Sequence, residues 1–503
     1  MVTRRLLISA LLATAAIPVF AKAPETSLRP KKRPLRGVEK TNAEHPEKDL
    51  HKIISDAGLS GSVSIAVADE SGRILESLTP NTSLPPASVT KVVTALYALH
   101  HLGSSFRYAT RVIATGSVEG GIVQGDLVVV GGGDPHCDSD MLSNLARSVA
   151  QYGIKGVTGR LRIFAGALPY QRVIDDTQPV YVGYNPSLSG LNLNFNRVYF
   201  EWKRISSGYS TTIDARTKRM RPPVRGIQMS IVDRQAPLFT YNDSGNVEHW
   251  SVMRDALGDG GGRWLPVRDI ETYVGEVFRF VAAQQGVQLP HAKIAKTLPN
   301  GTVVAQELSE TLLAQSRSML KFSTNLTAEI MGLTATQLRR PLIKTLNSSG
   351  KEMAVWLEQT YGIKGVKFID HSGLGDASRV SADQMIQILA QSDWGGPLRP
   401  TLKTIKLLNS KGRLAPIEGV TVSGKTGTLN FTSALAGYIV GKNGQKLTFA
   451  IFTADMIKRA KIKKADRERP AGSKAWRNRS KAMQQKLLRR WALKYCTVFE
   501  KHS

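Results

Sequence analysis

Near the C-terminus three strand-like runs follow one another with almost no chain between them: residues 420–429, 433–442 and 446–455. Connections this short force neighbouring strands to lie side by side and antiparallel. Asn443-Gly444, between the last two runs, is a turn dipeptide. The chain is therefore expected to build an antiparallel sheet from its C-terminal part. A second hairpin stands early, where Val63, Ile65 and Val67 alternate ahead of a turn at residues 70–72. A first helix is expected near residues 45–57. After Pro85-Pro86-Ala87-Ser88, the apolar positions Val92, Leu96, Leu99 and Leu102 recur at helical spacing, and Gly103 suits a C-terminal cap. Ser88 thus falls at or just inside a helix N-terminus, with Lys91 one turn on.

The middle of the chain has a different texture. From 107 to 289 short β-like runs alternate with Gly-rich turns such as Gly131–Gly133 and Gly260–Gly262, which predicts one or two mostly-β modules. Helices are expected over 268–285, 303–335 and 351–361. Residues 457–503 carry sixteen Lys or Arg against three Asp or Glu. Within them Trp476, Met483, Leu487, Trp491 and Tyr495 recur at about helical spacing, the pattern of a helix docked on a core. The segment 458–469 is expected to be solvated.

Three short motifs carry chemistry. Ser88 and Lys91 share a helix face. A Ser hydroxyl becomes a nucleophile when a base takes its proton, and Lys serves as that base where burial or a nearby cation lowers its pKa. Alone, the pair reads more simply as a cap and a surface lysine, and Ser348-Ser-Gly-Lys351 repeats the spacing with no chemistry expected. Ser323-Thr324-Asn325 breaks an apolar helical stretch with a hydroxyl for proton relay and an amide for a substrate carbonyl. A loop or cap explains it equally, and Ser244-Gly-Asn246 matches the same pattern. Lys425-Thr426-Gly427-Thr428 holds the single Lys-Thr-Gly of the chain. A cation and hydroxyls on a strand grip a carboxylate, Gly427 lets another backbone come close, and the strand edge can pair with an extended peptide.

Charge and export narrow the partners. The 503 residues contain 68 Lys and Arg against 40 Asp and Glu, a formal net charge of +28. Arg4-Arg5, an apolar stretch and small residues read as a secretory signal peptide over 1–21, cleaved after Ala21 in preference to Ala23 because Pro24 follows the latter. An uncleaved anchor is the alternative, disfavoured by the short run and Pro18. A basic linker is expected over 22–44. Export to the periplasm removes nucleic acid as a partner and leaves wall polymers or an anionic membrane surface, to which the basic tail would adhere peripherally. Cys137 and Cys496 are the only cysteines, either one bridge or two free thiols. No metal is expected, since no cluster has ligand spacing. No cofactor is expected, since the Gly131–Gly133 loop lacks a phosphate-binding signature.

In the order Ser88-x-x-Lys91, Ser323-x-Asn325, Lys425-Thr426-Gly427, the motifs match the signature of penicillin-binding proteins and β-lactamases, with Thr324 where the usual middle motif has Asp. The 235 positions from Ser88 to Ser323, with stretches such as GLNLNFNRV, STNLTAEIM, IDHSGLG and VSGKTGTL, make the chain resemble the class C, low-molecular-mass penicillin-binding proteins, the D-alanyl-D-alanine carboxypeptidases/endopeptidases. The resemblance implies an α+β penicillin-binding domain, an antiparallel sheet flanked by helices with a helical subdomain, split into 45–106 and 290–503 around an inserted β-rich region, 107–289. It implies Ser88 as acylated nucleophile, Lys91 as its base and Ser323 as proton relay. Asn325, Lys425, Thr426, Gly427 and Thr428 would hold substrate, and the backbone N–H groups of Ser88 and Thr428 would form the oxyanion hole. Peptidoglycan stem peptides would be the substrate and β-lactams covalent inhibitors. A serine β-lactamase and a non-catalytic wall-binding protein are the competing readings. The resemblance leaves the role of His136-Cys137 unassigned.

Overall fold

The computed structural model describes residues 50–497 apart from 244, 246 and 393. The expected signal peptide, the basic linker, the start of the first helix and two residues of Ser244-Gly-Asn246 lie outside the described residues.

The short connections of the C-terminal part act as expected. Strands Thr421–Leu429, Thr432–Val440 and Lys446–Ala454 are consecutive antiparallel neighbours. The early hairpin, Ser62–Asp69 and Ile74–Leu78, adds to the far edge through the pairing of Ser62–Asp69 with Lys446–Ala454. The short strand Lys403–Thr404 completes a six-stranded sheet on the other edge. Strands from both ends of the chain therefore form one sheet. Both faces are apolar and both are covered. On one face Ala66, Ala68, Ala434, Ala436, Ala450 and Phe452 meet the helices Thr90–Leu102 and Ala382–Gln391. On the other, Ile65, Val67, Ile439, Phe449 and Ile451 meet Leu50–Ser55 and the C-terminal helix Ser473–Cys496. That helix buries Trp476, Met483, Leu487 and Trp491, as its spacing predicted.

The helix after Ser88 differs from the amphipathic stripe its sequence suggested. Lys91, Val92, Val93, Thr94, Ala95, Tyr97, Ala98 and Leu99 are all buried, because it is walled in by the sheet and by the helices Leu312–Phe322 and Asn325–Arg339. Gly103, at φ 83°, ends it.

The middle region is less β-rich than expected. It holds three-stranded sheets and a larger five-stranded one, but also the helices Ser139–Gln151 and Ile270–Gln284. The stretch DPHCDSD, which contains the unassigned His136 and Cys137, leads into the first of these. Asp138 caps the helix, and Asp134 accepts N–H groups from His136 and from the Gln315 amide. His136 packs on Phe195, and burial holds its pKa down near 4.

The expected helix over 303–335 is wrong at its start: Thr302–Leu308 is a strand. It pairs with Ala109–Ala114 through a register shift between Val303 and Ala305, with Val304 and Ala305 buried. The five-stranded sheet thus draws its outer strands from beyond residue 289. Helix formation begins only at Thr311, whose side chain caps Leu312–Phe322. The helix predicted over 351–361 starts earlier, at Leu346, capped by Thr345. The two cysteines are both buried and free.

Candidate active site

Ser88 sits in the 3-10 turn Ala87–Val89 that feeds directly into Thr90–Leu102. The turn is strained: Ala87 has φ 47°, a left-handed conformation disfavoured for a residue with a Cβ. Such strain persists only where the surroundings impose it. Here two glycines let neighbouring backbone close in. A Cβ on Gly427 would stand 2.6 Å from the Pro86 carbonyl oxygen, and one on Gly373, at φ 70°, would stand 1.9 Å from that of Ala87. The strand bearing Lys-Thr-Gly and the loop after residue 370 thus clamp the turn that carries the hydroxyl.

Helical spacing brings Lys91 back to Ser88: Lys91 Nζ lies 3.0 Å from Ser88 Oγ. Lys91 has no solvent exposure. Its ammonium also donates to Asn325 Oδ1 at 2.8 Å and to the Ser372 carbonyl at 2.6 Å. Burial brings its pKa down to about 8, against the opposing pull of Glu329 and Asp370. Those two acceptors also aim the group. A neutral amine retains two N–H bonds and one lone pair; with the N–H bonds held by Asn325 and Ser372, the lone pair faces Ser88 Oγ.

Ser323 ends Leu312–Phe322 in a left-handed conformation, φ 60°, and Asn325 opens the next helix. The polar triplet is therefore a break between two helices, both packed on the helix that follows Ser88. Lys425, buried in the strand Thr421–Leu429, donates to Ser323 Oγ at 2.9 Å and to the Thr426 carbonyl at 2.6 Å. Its pKa is pushed well down by burial and by the ammonium groups of Lys91 and Lys403. The resemblance would also have Lys425 keep the pKa of Lys91 low; burial is the cause instead. Lys403 Nζ donates to Thr426 Oγ1 at 3.3 Å, and Thr428 lies two residues on, along the same strand face.

Several residues that the motifs did not announce complete the site. Glu329, one helical turn beyond Asn325, is fully buried and accepts the backbone N–H groups of His371 and Ser372, fixing the carbonyl that Lys91 uses. Asp370 accepts those of Gly373 and Gly375. Burial raises both carboxyl groups, Glu329 to about 8 and Asp370 to about 6. Glu329 was detectable as an acidic residue on the buried face of a predicted helix. Asn325 donates its amide to the carbonyl of Tyr184, from the middle of the chain, and no local sequence signal marks that contact.

A cavity of about 260 Å³ opens onto Ser88, Ser323, Asn325 and Thr428. Its outer wall is drawn from 458–469, which is mostly exposed as expected but turns some of its side chains inward. Arg459 is only 6% exposed. It pairs with Asp376 at 3.0 Å and donates to the Asn430 carbonyl at 3.0 Å. Arg467, Glu468 and Arg477 also line the cavity, and Glu468 pairs with Arg263 at 2.9 Å. The segment is held to the wall by Arg459, Arg467 and Glu468, while its lysines stay exposed. Among the described residues no group of acidic, His or Cys side chains has a metal-binding arrangement.

Residues 47–470 match the D-Ala-D-Ala carboxypeptidase 3 (S13) family. A D-alanyl-D-alanine carboxypeptidase of Actinomadura sp. (strain R39) is 25% identical over 450 residues, 80% of each chain. The D-alanyl-D-alanine carboxypeptidase DacB of Haemophilus influenzae is 22% identical over 400 residues, 76% of this chain and 82% of the relative. The crystal structure of penicillin binding protein 4 (dacB) from Haemophilus influenzae superposes with a TM-score of 0.64 at 19% identity, over 84% of this chain and 98% of that one, and a second structure of it holds a β-lactam.

Proposed function

The chain belongs to the D-Ala-D-Ala carboxypeptidase 3 (S13) family, and on that premise we propose how its residues divide the work of a serine-type D-Ala-D-Ala carboxypeptidase. Ser88 Oγ attacks the carbonyl carbon of the penultimate D-alanine while Lys91 takes the hydroxyl proton. The oxyanion forms against the backbone N–H groups of Ser88 and Thr428; one such donor contributes about 3 kcal/mol to transition-state stabilisation. The C–N bond then breaks: Ser323 relays a proton to the leaving amine and is reprotonated at the expense of the Lys91 ammonium, which returns Lys91 to its neutral form, and D-alanine departs. Water, deprotonated by Lys91, hydrolyses the ester and regenerates Ser88. Lys425, Thr426 and Thr428 hold the terminal carboxylate, with Gly427 keeping the strand close to the nucleophile. The arriving carboxylate offsets the burial that disfavours charge on Lys425, so substrate restores its ammonium form.

The carrying observation is the 3.0 Å contact between a hydroxyl and a fully buried amine. The same acyl transfer on a peptide cross-link would be endopeptidase activity, and a β-lactam would acylate Ser88 and leave slowly. The test is labelled penicillin with peptide mapping: one adduct on Ser88, abolished in Ser88→Ala together with D-alanine release. An adduct elsewhere, or none, would end this reading. A slow-clearing adduct separates it from β-lactamase activity.

We propose in addition that the protein is exported to the periplasm and touches an anionic wall or membrane surface. The exposed Lys474, Arg479, Lys481 and Lys486 on the outside of Ser473–Cys496 would supply the charge. Replacing these four by Glu should weaken salt-sensitive envelope association, and unaltered fractionation would count against it.

A further inference from the structure

The middle of the chain carries a long irregular path. From Ala165 to Asn196 no strand or helix forms apart from the single bridge between Gln171 and Leu188. Loops of this length inside a folded domain are uncommon and tend to be functional. This one delivers the Tyr184 carbonyl to Asn325 Nδ2, at 2.9 Å.

The path is held by one buried cation. Arg268 is 4% exposed. Its guanidinium donates to the carbonyls of Arg172 and Asn185 at 2.9 Å each and of Val180 at 2.8 Å. Asn185, the neighbour of Tyr184, accepts the N–H groups of Ile174 and Asp175 and donates to the Asp175 carbonyl. Arg268 is fixed in turn by Glu248, which accepts its backbone N–H at 2.7 Å. A planar guanidinium binds several carbonyls in fixed directions, so both ends and the crest of segment 172–185 are tied to one group.

An amide side chain can present either its oxygen or its nitrogen. With Nδ2 committed to Tyr184, Asn325 must turn Oδ1 toward Lys91, and Oδ1 is one of the two acceptors that aim the amine. We infer that Arg268 is a positioning residue for the catalytic base: it holds segment 172–185 so that the Tyr184 carbonyl fixes the Asn325 amide, and through it the lone pair of Lys91. The inference rests on the acyl-transfer reading above and gives the middle region a part in the chemistry.

Loss of the guanidinium releases Tyr184 and lets Asn325 flip. Lys91 then loses an acceptor that favours its ammonium, so its pKa falls. Its lone pair is drawn to Asn325 Nδ2, so acylation slows even where the amine is neutral. The other groups facing Lys91 are Glu329 from Asn325–Arg339, Asp370 and the neutral, buried His371 from the following loop, and Lys425 from its strand, with Lys403 behind Lys425. Arg268→Met leaves these in place.

The experiment is penicillin acylation against pH in the full chain, normalised to labelled sites. Arg268→Met is expected to lower the plateau rate about tenfold and to move the acid limb down by about one pH unit, the loss of one hydrogen bond to a charged group. Arg268→Lys, which keeps some donors, should fall between and decides the matter if the Met variant does not fold. Arg216→Gln breaks a pairing with Asp214 and Glu201 elsewhere in the middle region and should leave the limb where it is. Wild-type limb and plateau in Arg268→Met or Arg268→Lys, or an equal shift in Arg216→Gln, would overturn the inference. An unlabelled wild type would instead overturn the acyl-transfer reading on which it stands.

Discussion

The two faces of the six-stranded sheet are built on opposite principles. Against Ser473–Cys496 the contact is close-packed and apolar, with Phe449, Ile451, Leu487 and Trp491 at its centre. Its charged group, Glu76, sits at the rim, where Arg490, Lys494, Trp491 and Tyr495 all donate to it. The other face leads to the cleft, where Lys91, Lys425, Glu329 and Asp370 are buried outright. Burial shifts the pKa of all four toward favouring the neutral form. One face holds the sheet together, and the other gives up stability for reactivity, since taking charges out of water costs several kcal/mol each before their interactions offset it.

The comparison breaks most sharply at Lys91. Lys91→Met should lower acylation by about 10⁴-fold or more, as removal of a member of an acyl-transfer unit does, while thermal denaturation shows no loss of stability. A loss of several kcal/mol would mean that the cleft face is structural after all. Trp491→Ala should do the reverse: unfolding stability falls by about 3–5 kcal/mol, and acylation per folded molecule is unchanged. Reduced acylation at full site occupancy would show the faces to be coupled.

The pH dependence sharpens the same contrast. The base must be neutral, so acylation should rise with pH through about 8 and then level. A flat profile from pH 6 to 9 would exclude Lys91 as the base. Glu76, lowered to about 2 by its hydrogen bonds and the charges of Arg490 and Lys494, works on stability instead. Its folded pKa lies below its unfolded value, so its contribution is complete above about 4.5 and is lost as pH falls toward 2. Glu76→Gln should cost about 1–2 kcal/mol at pH 7, discounted for its position at the rim, and less as the medium is acidified. Equal cost at pH 3 and pH 7 would remove the ion-pair explanation.

The legible parts of the site were those encoded within a few residues. Ser88 and Lys91 are one turn apart, Ser323 and Asn325 flank one helix break, and Lys425 to Thr428 lie on one strand. Each motif needed only local periodicity to be placed. The illegible parts were contacts between positions 83 to 281 apart: the Ser372 carbonyl at Lys91, the Tyr184 carbonyl at Asn325, Arg459 folded onto Asp376. Backbone carbonyls leave no trace in residue identity. The strand Thr302–Leu308 was misread as helix because a short apolar run does not reveal its period; a partner edge decided it.

From residue order alone came the antiparallel C-terminal sheet, the helix behind Ser88, the docked basic helix and the three motifs that meet at the cleft, because short connections and local periodicities leave a chain few choices. Folding in three dimensions decided what those residues can do. It excluded water from Lys91, turned Asn325 by a carbonyl from elsewhere in the chain, and folded the basic segment into a wall. Desolvation and orientation are properties of surroundings, and surroundings exist only once distant parts of the chain have met.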